Sequence, residues 1–126
     1  MRAVDTNVLV RLASGDDPGQ VAAAEEYVAS GAWVSHVVLV ECVWVLQSVY
    51  SIPQSQLVAA IEILLDHEVL VLQEPDVVAA ALALFREHPK VGFSDCLVLE
   101  IARKAGHVPL GTFDRALAKQ PGAERI

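Results

Sequence analysis

Short apolar runs along the chain alternate with longer segments in which apolar residues recur at helical spacing. Turn-forming and capping residues separate these segments. The short runs predict strands at Arg2–Asp5, Ala32–Val34, Val69–Leu72, Val108–Gly111 and Ala123–Ile126. The longer segments predict helices over Thr6–Ala13, from Asp17-Pro18 to about Ser30, from His36 to about Tyr50, over Gln54–His67, from Pro75 to about His88, over Asp95–Ala105 and over Asp114–Lys119.

Several residues mark where these helices begin and end. Ser35 and Ser94 precede helical segments, and a serine hydroxyl at that position accepts a hydrogen bond from a free backbone N–H. Pro53 is expected in the first turn of its helix, where a missing N–H costs nothing. Gly31 and Gly106 follow helical segments and are expected to end them. The sequence shows no internal repeat, linker or low-complexity segment between these elements.

Strands that alternate with one or two helices favour parallel pairing through right-handed crossovers. The sequence therefore predicts an α/β fold with a parallel sheet covered on both faces by helices, in a single domain over residues 1–126. In such sheets, ligands bind beyond the carboxyl ends of the strands. Candidate chemistry is therefore sought at those positions.

The chain is apolar enough to bury a core of its own. Its 126 residues are 54 % hydrophobic, with a mean hydropathy of +0.44, which excludes intrinsic disorder. No apolar run reaches the ~18 residues of a membrane span, and no signal peptide is recognisable at the N-terminus. Cys42 and Cys96 have no metal-binding spacing, so we expect buried thiols in a reducing, cytoplasmic compartment, with a disulfide as the alternative.

The charged residues are distributed unevenly. The net charge is −7, which argues against a protein that coats nucleic acid nonspecifically. Residues 12–85 contain ten acids and no lysine or arginine, whereas residues 86–126 contain seven of the nine basic residues and five acids. A protein of this charge can still act on a polyanion when bound cations bridge the two, although a plain solvated surface explains the distribution equally well.

Four acids stand out by their position. Asp5, Asp95 and Asp114 each lie at the start of a predicted helix, and taken singly each is an ordinary capping residue. Glu41 is the only charged residue between His36 and Gln47, in a helix apolar enough to be mostly buried. A buried carboxylate costs several kcal/mol unless it is paired, protonated or metal-bound. The alternative is that Glu41 faces a solvated notch or a distant arginine.

Together, the four acids are expected to face one rim of the sheet. Asp5 and Asp114 follow strands, Asp95 opens the helix that leads into the next strand, and Glu41 leans back toward the start of its helix. A set of oxygen ligands without suitable cysteine or histidine favours Mg²⁺ or Mn²⁺. One or two such ions suit phosphodiester hydrolysis, because they generate hydroxide and neutralise the leaving oxygen.

Three hydroxyl side chains lie next to these acids in the sequence. Thr6, Ser94 and Thr112 are candidates to hold carboxylates or phosphate oxygens. Helix capping is the competing interpretation for each of them, and it is the preferred one for Ser94.

The acids and their neighbours resemble a known family. Asp5-Thr6-Asn7 after a first strand, Glu41 in an apolar helix, Ser94-Asp95 opening a late helix and Thr112-Phe113-Asp114 after the next strand resemble the PIN-domain ribonucleases. Within that family, the chain is most similar to the VapC-type toxins of toxin–antitoxin pairs. The resemblance extends over nearly the whole chain and is carried by four acids in order, since no single triplet is specific.

The resemblance implies a three-layer α/β/α sandwich with a central parallel sheet. It implies a Mg²⁺- or Mn²⁺-dependent endoribonuclease acting on structured RNA such as tRNA or rRNA. Asp5, Glu41, Asp95 and Asp114 would be the catalytic and metal-binding acids, with Asp114 the weakest or an outer ligand. The family also implies a homodimer and a cognate antitoxin that blocks the site.

Basic and aromatic residues near the motifs are candidates for RNA contacts, although each is also explained as ordinary surface or core. The basic candidates are Arg11, Lys90 and Arg115, followed by Arg86, Arg103 and Lys104. The aromatic candidates for base stacking are Trp33, Trp44 and Phe93. Trp44 is expected in the core, which leaves Phe93 as the aromatic residue most suited to a test. The four histidines show no metal-binding spacing.

Two alternatives remain open. A phosphoacceptor receiver domain has a similar length, but it needs paired acids after the first strand, an aspartate after the central strand and a lysine after a late strand. Here those positions hold Asp5-Thr6-Asn7, Gln73-Glu74 and Gly111-Thr112. A PIN-like module that has lost its activity would bind without cleaving, although such a module would be expected to have lost some of the four acids.

Overall fold

The structure, a computed structural model, describes residues 1–126 and contains seven helices and five strands. The strands are β1 (Arg2–Ala3), β2 (Ala32–Val34), β3 (Leu70–Leu72), β4 (Leu110–Thr112) and β5 (Ala123–Arg125). The helices are α1 (Thr6–Ser14), α2 (Pro18–Val28), α3 (His36–Ser48), α4 (Gln54–Leu65), α5 (Pro75–Glu87), α6 (Phe93–Ala105) and α7 (Arg115–Ala118). Every predicted element is present, with shifts of a few residues at the ends.

The chain divides into two compact units, Met1–Pro75 and Asp76–Ile126. In the first unit, β1, β2 and β3 form a parallel sheet in the order of the sequence. Two helices connect each strand to the next, and they provide the long crossover that neighbouring parallel strands require. One backbone hydrogen bond extends the pairing of β1 with β2 beyond the end of β1: the N–H of Val4 donates to the carbonyl of Trp33 at 3.2 Å.

The helix ends of the first unit follow the capping signals of the sequence. The side chains of Asp17 and Ser35 accept hydrogen bonds from the backbone N–H three residues later, as expected for helix N-caps. Gly15 ends α1 in the left-handed conformation, at φ +68°. Pro53 differs from its prediction, because it is the N-cap of α4 and lies outside the first turn.

The core of the first unit lies between the sheet and its helices. Leu9, Leu39, Leu57 and Ile61 have at most 1 % of their surface exposed. The uninterrupted apolar run Val69–Leu72 predicts a buried strand, which is wrong at the centre of β3. Val71 is 45 % exposed, because successive side chains of a strand point to opposite faces.

The second unit contains β4 and β5, which pair in parallel as a separate two-stranded sheet. The predicted strand from Val108 to Gly111 begins later than expected, at Leu110. Proline at position 109 has no N–H for the ladder, so it lies before the paired residues. Side chains of α5 and α6 form most of the core of this unit, and Val78 and Leu99 are fully buried.

Helix α6 begins earlier than the sequence predicts. Its first residue is Phe93 and its N-cap is Gly92, so the predicted capping role of Ser94 is wrong. Phe93 is 4 % exposed and packs edge-to-face against Phe85, with ring centroids 5.7 Å apart. Burial of this ring places Phe93 within the helix, and Ser94 becomes an exposed residue of the first turn.

These observations confirm the α/β fold class, because all strand pairs are parallel and helices connect them. Cys42 and Cys96 are buried free thiols, as predicted, and burial raises the pKa of each to about 12. The longest helices have 13 residues, and none combines the length and the hydropathy that a bilayer crossing requires.

Candidate active site

Asp5 lies directly after β1 and Val4, at the carboxyl end of the first strand. One oxygen of its side chain, Oδ1, accepts a hydrogen bond from the backbone N–H of Val8 at 3.1 Å, so Asp5 is the N-cap of α1. The residue is exposed. The capping interpretation is therefore confirmed for Asp5, and it leaves the carboxylate accessible from solvent.

Glu41 is held by Thr6, the residue that follows Asp5. The Thr6 hydroxyl donates a hydrogen bond of 2.9 Å to Oε2 of Glu41. This contact joins the first turn of α1 to the second turn of α3 and places both acids at the same end of α1. The prediction that Thr6 holds a carboxylate is confirmed.

The predicted burial of Glu41 is wrong. Glu41 is exposed, and the residues one turn away on the same face of α3, Val37 and Trp44, are 67 % and 62 % exposed. The expectation that Trp44 belongs to the core is therefore also wrong. A helix with apolar residues on every side carries no pattern that marks its solvated face. The alternative interpretation, in which Glu41 faces solvent, is correct.

The other two acids lie together in the second unit. Asp95 is in the first turn of α6. Asp114 follows β4 and is the N-cap of α7, where it accepts a hydrogen bond from the backbone N–H of Leu117 at 2.8 Å. Burial and the nearby charge of Asp114 raise the pKa of Asp95 above its ordinary value. The Asp114 carboxylate thus disfavours ionisation of Asp95, and a bound cation would relieve that repulsion.

The remaining predicted hydroxyls have other surroundings. Oγ1 of Thr112 accepts a hydrogen bond from the backbone N–H of Asp114 at 3.0 Å. Thr112 therefore fixes the backbone of the turn that presents Asp114, rather than holding its carboxylate. Ser94 is exposed in the first turn of α6 and does not cap the helix. It belongs to the candidate site because it is adjacent to Asp95.

The basic residues named from the sequence fall into two groups. Lys90 and Arg115 are exposed, as a contact with RNA requires. Arg11 instead lies within the first unit, where its Nη1 donates to the Tyr50 hydroxyl at 3.1 Å and lies 3.6 Å from Oδ1 of Asp16. Arg11 is therefore positioned by the protein itself.

Two of the further candidates also bind within the protein. Nη2 of Arg103 donates to the carbonyl of Pro121 at 2.6 Å, and Nζ of Lys104 lies 2.8 Å from Oδ2 of Asp76. The Lys104 ammonium lowers the pKa of the Asp76 carboxyl. These contacts explain both side chains as structural surface residues.

The two phenylalanines near the candidate acids differ in exposure. Phe93 is buried in the core, so the suggestion that it stacks on bases is wrong. Phe113, which sequence reasoning considered only as part of a motif, is 77 % exposed directly before Asp114. The available signal was its position in the short turn between β4 and α7, where the chain has no neighbouring element to cover a large ring.

The four acids thus fall into two pairs, one in each unit: Asp5 and Glu41, which are linked through Thr6, and Asp95 and Asp114, whose charges interact. No group of three or more histidine, cysteine, aspartate or glutamate side chains is gathered closely enough to form a metal centre. Asp5, Asp95 and Asp114 offer hard oxygen ligands at the end of a strand or the start of a helix, and Glu41 offers one in the second turn of α3. Oxygen donors of this kind suit Mg²⁺ or Mn²⁺ rather than zinc or copper.

Parallel strands joined by helices define an α/β protein. Its candidate site consists of carboxylates, most of which lie at strand or helix ends. The family model for the PIN domain matches residues 2–123, which include both units and all four acids, and the chain belongs to this family. PIN domains are generally nucleases, and they typically use divalent metals. This membership leaves the receiver alternative without support. No curated protein is similar enough to this chain to supply a named relative.

The contact between Thr6 and Glu41 leads to a prediction that tests whether these acids support nuclease activity in this chain. Thr6→Val keeps the shape of the side chain and removes the hydroxyl, so the Glu41 carboxylate loses its orientation. Loss of a group that orients a metal-binding carboxylate costs about 10–100-fold in activity or metal affinity. Thr6→Ser retains the hydroxyl and is expected to retain most of the cleavage rate, measured on one labelled RNA at saturating Mn²⁺. Equal rates in the two variants would contradict a role for this hydrogen bond.

Proposed function

We propose that the protein is a Mg²⁺- or Mn²⁺-dependent endoribonuclease that hydrolyses RNA phosphodiester bonds, and that it acts as a VapC-type toxin. The observation that carries the proposal is the position of Asp95 in the first turn of α6, close enough to Asp114, the N-cap of α7, for the Asp114 charge to raise the pKa of Asp95. A divalent cation bound by ionised carboxylates in this position would relieve their repulsion. The family supports a nuclease, and the toxin assignment rests on the resemblance of the motifs.

In the proposed reaction, both carboxylate pairs are needed. Asp5 and Asp95 would serve as metal ligands, as the family resemblance implies, the Thr6 hydroxyl would fix the Glu41 carboxylate, and Asp114 would contribute charge beside Asp95. When bound, the divalent cation supplies a hydroxide nucleophile at neutral pH and neutralises charge on the phosphate. Because both pairs are needed, we propose that residues 1–126 act as one functional domain. The family match, which extends across both units, agrees with this proposal.

The proposed partners are an RNA substrate, such as tRNA or rRNA, a second copy of the chain in a homodimer, and a cognate antitoxin. The distribution of charge supports an antitoxin with basic segments, because residues 12–85 contain ten acids and no lysine or arginine. Electrostatic complementarity of this kind favours fast and specific association. RNA contacts are proposed for Lys90 and Arg115, which lie in the mildly basic part of the chain.

Cleavage of RNA with mapped ends tests the proposed function. The purified protein is incubated with total cellular RNA, with Mn²⁺ or with EDTA. We expect metal-dependent cuts that leave 5′-phosphate ends, because water activated at a metal attacks the phosphate and the RNA 2′-hydroxyl does not. Cuts that persist in EDTA would contradict the metal chemistry of the four acids.

A matched pair of variants completes this test. Asp95→Asn removes a carboxylate of the proposed site, whereas Asp66→Asn removes an exposed carboxylate at the end of α4. We expect cleavage and growth inhibition in the cell to be lost in the first variant only. Growth inhibition that survives Asp95→Asn would instead favour a PIN-like module that acts by binding.

A further inference from the structure

A cavity of about 400 Å³ lies in the first unit, next to the candidate acid Asp5. Side chains of α1 and α2 line it. Its polar groups are Asp5, Asn7, Arg11, Gln20 and Tyr27, and small side chains of α2 complete the wall. A volume of this size is within the range of small-molecule sites, and a few polar groups among apolar ones are typical of such sites. Among the residues of its wall, the proposed metal chemistry uses only Asp5, and it gives the rest of the cavity no role.

The two arginines of the acidic part of the chain border this cavity. Residues 1–85 contain eleven acids but only two basic residues, Arg2 and Arg11. Arg11 lines the cavity directly. The guanidinium of Arg2 lies over the ring of Tyr27, 4.5 Å from its centroid, and Tyr27 is part of the wall. Both basic residues of this part of the chain therefore lie at or beside the cavity, where Asp5 in the wall and Asp16 beside Arg11 partly balance their charge.

Hydrogen bonds fix which groups the cavity presents. Nε of Arg11 donates to Oε1 of Gln20 at 2.5 Å. Because an arginine only donates, the Gln20 oxygen must be the acceptor, and its NH₂ group remains as a donor. The contacts of Arg11 with Tyr50 and Asp16 hold this arrangement from the other side. The cavity thus offers a positioned amide donor beside a cation.

We propose that this cavity binds one nucleotide of the RNA chain next to the bond that is cut, with the base contacted by Gln20 and the phosphate near the arginines. The inference rests on the proposed function for its ligand class, and it adds a specificity site to it. The oriented donor of Gln20 suits acceptor atoms on a base edge, such as O6 and N7 of guanine. Tyr27 adds an aromatic side chain to the wall, with one face of its ring covered by the Arg2 guanidinium.

Titration of the ¹⁵N-labelled full chain with 5′-GMP, followed by NMR in EDTA, tests the proposal without any cleavage. We expect shifts of the Gln20 side-chain amide and of backbone amides in α1 and α2. Ribose 5-phosphate carries the phosphate without the base and is expected to bind about tenfold more weakly. Gln20→Ala removes the amide and is expected to weaken GMP about fivefold, as for the loss of one hydrogen bond.

A matched control is Gln56→Ala, which removes an exposed glutamine of α4 that does not line this cavity. It is expected to bind GMP as the wild type does. Equal affinity for GMP and ribose 5-phosphate would overturn the proposal, because only an anion site would remain. The absence of shifts in α1 and α2 would overturn it as well, and it would leave a segment of a partner protein as the occupant.

The two proposals fail separately. A chain that binds GMP in this cavity but cuts no RNA refutes the nuclease function and leaves a nucleotide site. A chain that cuts RNA but binds no GMP refutes the subsite alone.

Discussion

Asp95→Asn is expected to abolish metal-dependent RNA cleavage and, in the absence of metal, to raise the thermal stability of the protein at neutral pH. Loss of a group that only orients a metal ligand already costs about 10–100-fold. Removal of a proposed ligand should therefore cost at least about 100-fold in the cleavage rate. Asparagine has nearly the same volume as aspartate, so the first turn of α6 should keep its packing.

The gain in stability has a defined dependence on pH. Burial and the charge of Asp114 raise the pKa of Asp95 in the folded state. The folded wild type therefore has its full stability below the unfolded-state pKa, which is about 3.9 for an aspartate, and loses part of it as the pH rises through the folded-state value. The Asp95→Asn variant has no carboxyl at this position, so it does not lose this stability as the pH rises. Its advantage in the free energy of unfolding should be largest at neutral pH and disappear as the pH falls toward 3.9.

Thermal melts in EDTA and in Mn²⁺ separate this effect from metal binding. The wild type should gain stability when Mn²⁺ is added, because the ion binds the folded state, and Asp95→Asn should gain less. Asp66→Asn, at an exposed site, should follow the wild type in both conditions. An Asp95→Asn variant that cleaves at the wild-type rate would contradict the metal assignment, whatever its melting temperature.

Much of the fold could be predicted because local signals agree with the tertiary structure. Asp17, Ser35 and Gly106 mark helix ends by hydrogen-bonding chemistry that depends on few neighbours. The alternation of strands and helices leads directly to parallel pairing. The positions of Asp5 and Asp114 after strands follow from the same pattern, and both were correctly foreseen as residues that cap a helix.

The errors arise where tertiary packing decides and the local sequence does not. Helix α3 has apolar residues on all sides, so the exposed positions of Glu41 and Trp44 could not be read from its periodicity. The bond from Thr6 to Glu41 spans 35 residues, and only the packing of α1 against α3 brings these side chains together. Phe93 follows a glycine in a predicted loop, yet burial against Phe85 draws it into α6.

The position of Phe93 gives the second large effect that we expect. Phe93→Ala leaves a cavity beside Phe85, and truncation of a buried phenylalanine typically costs about 3–5 kcal/mol in the free energy of unfolding. Domains of this size have about 5–15 kcal/mol in total, so the variant should denature at much lower urea concentration. Phe93→Leu keeps most of the apolar volume and should cost roughly 1–2 kcal/mol.

RNA cleavage distinguishes a core role for Phe93 from contact with the substrate. If Phe93 only packs in the core, Phe93→Leu should cleave RNA at a rate close to that of the wild type under conditions where both are folded. Phe113→Leu is the matched control, because it makes the same change at a ring that is 77 % exposed beside Asp114. Its denaturation midpoint should stay near that of the wild type. A Phe93→Leu variant with a wild-type midpoint and lost cleavage would mean that the ring contacts RNA, against its burial in the core.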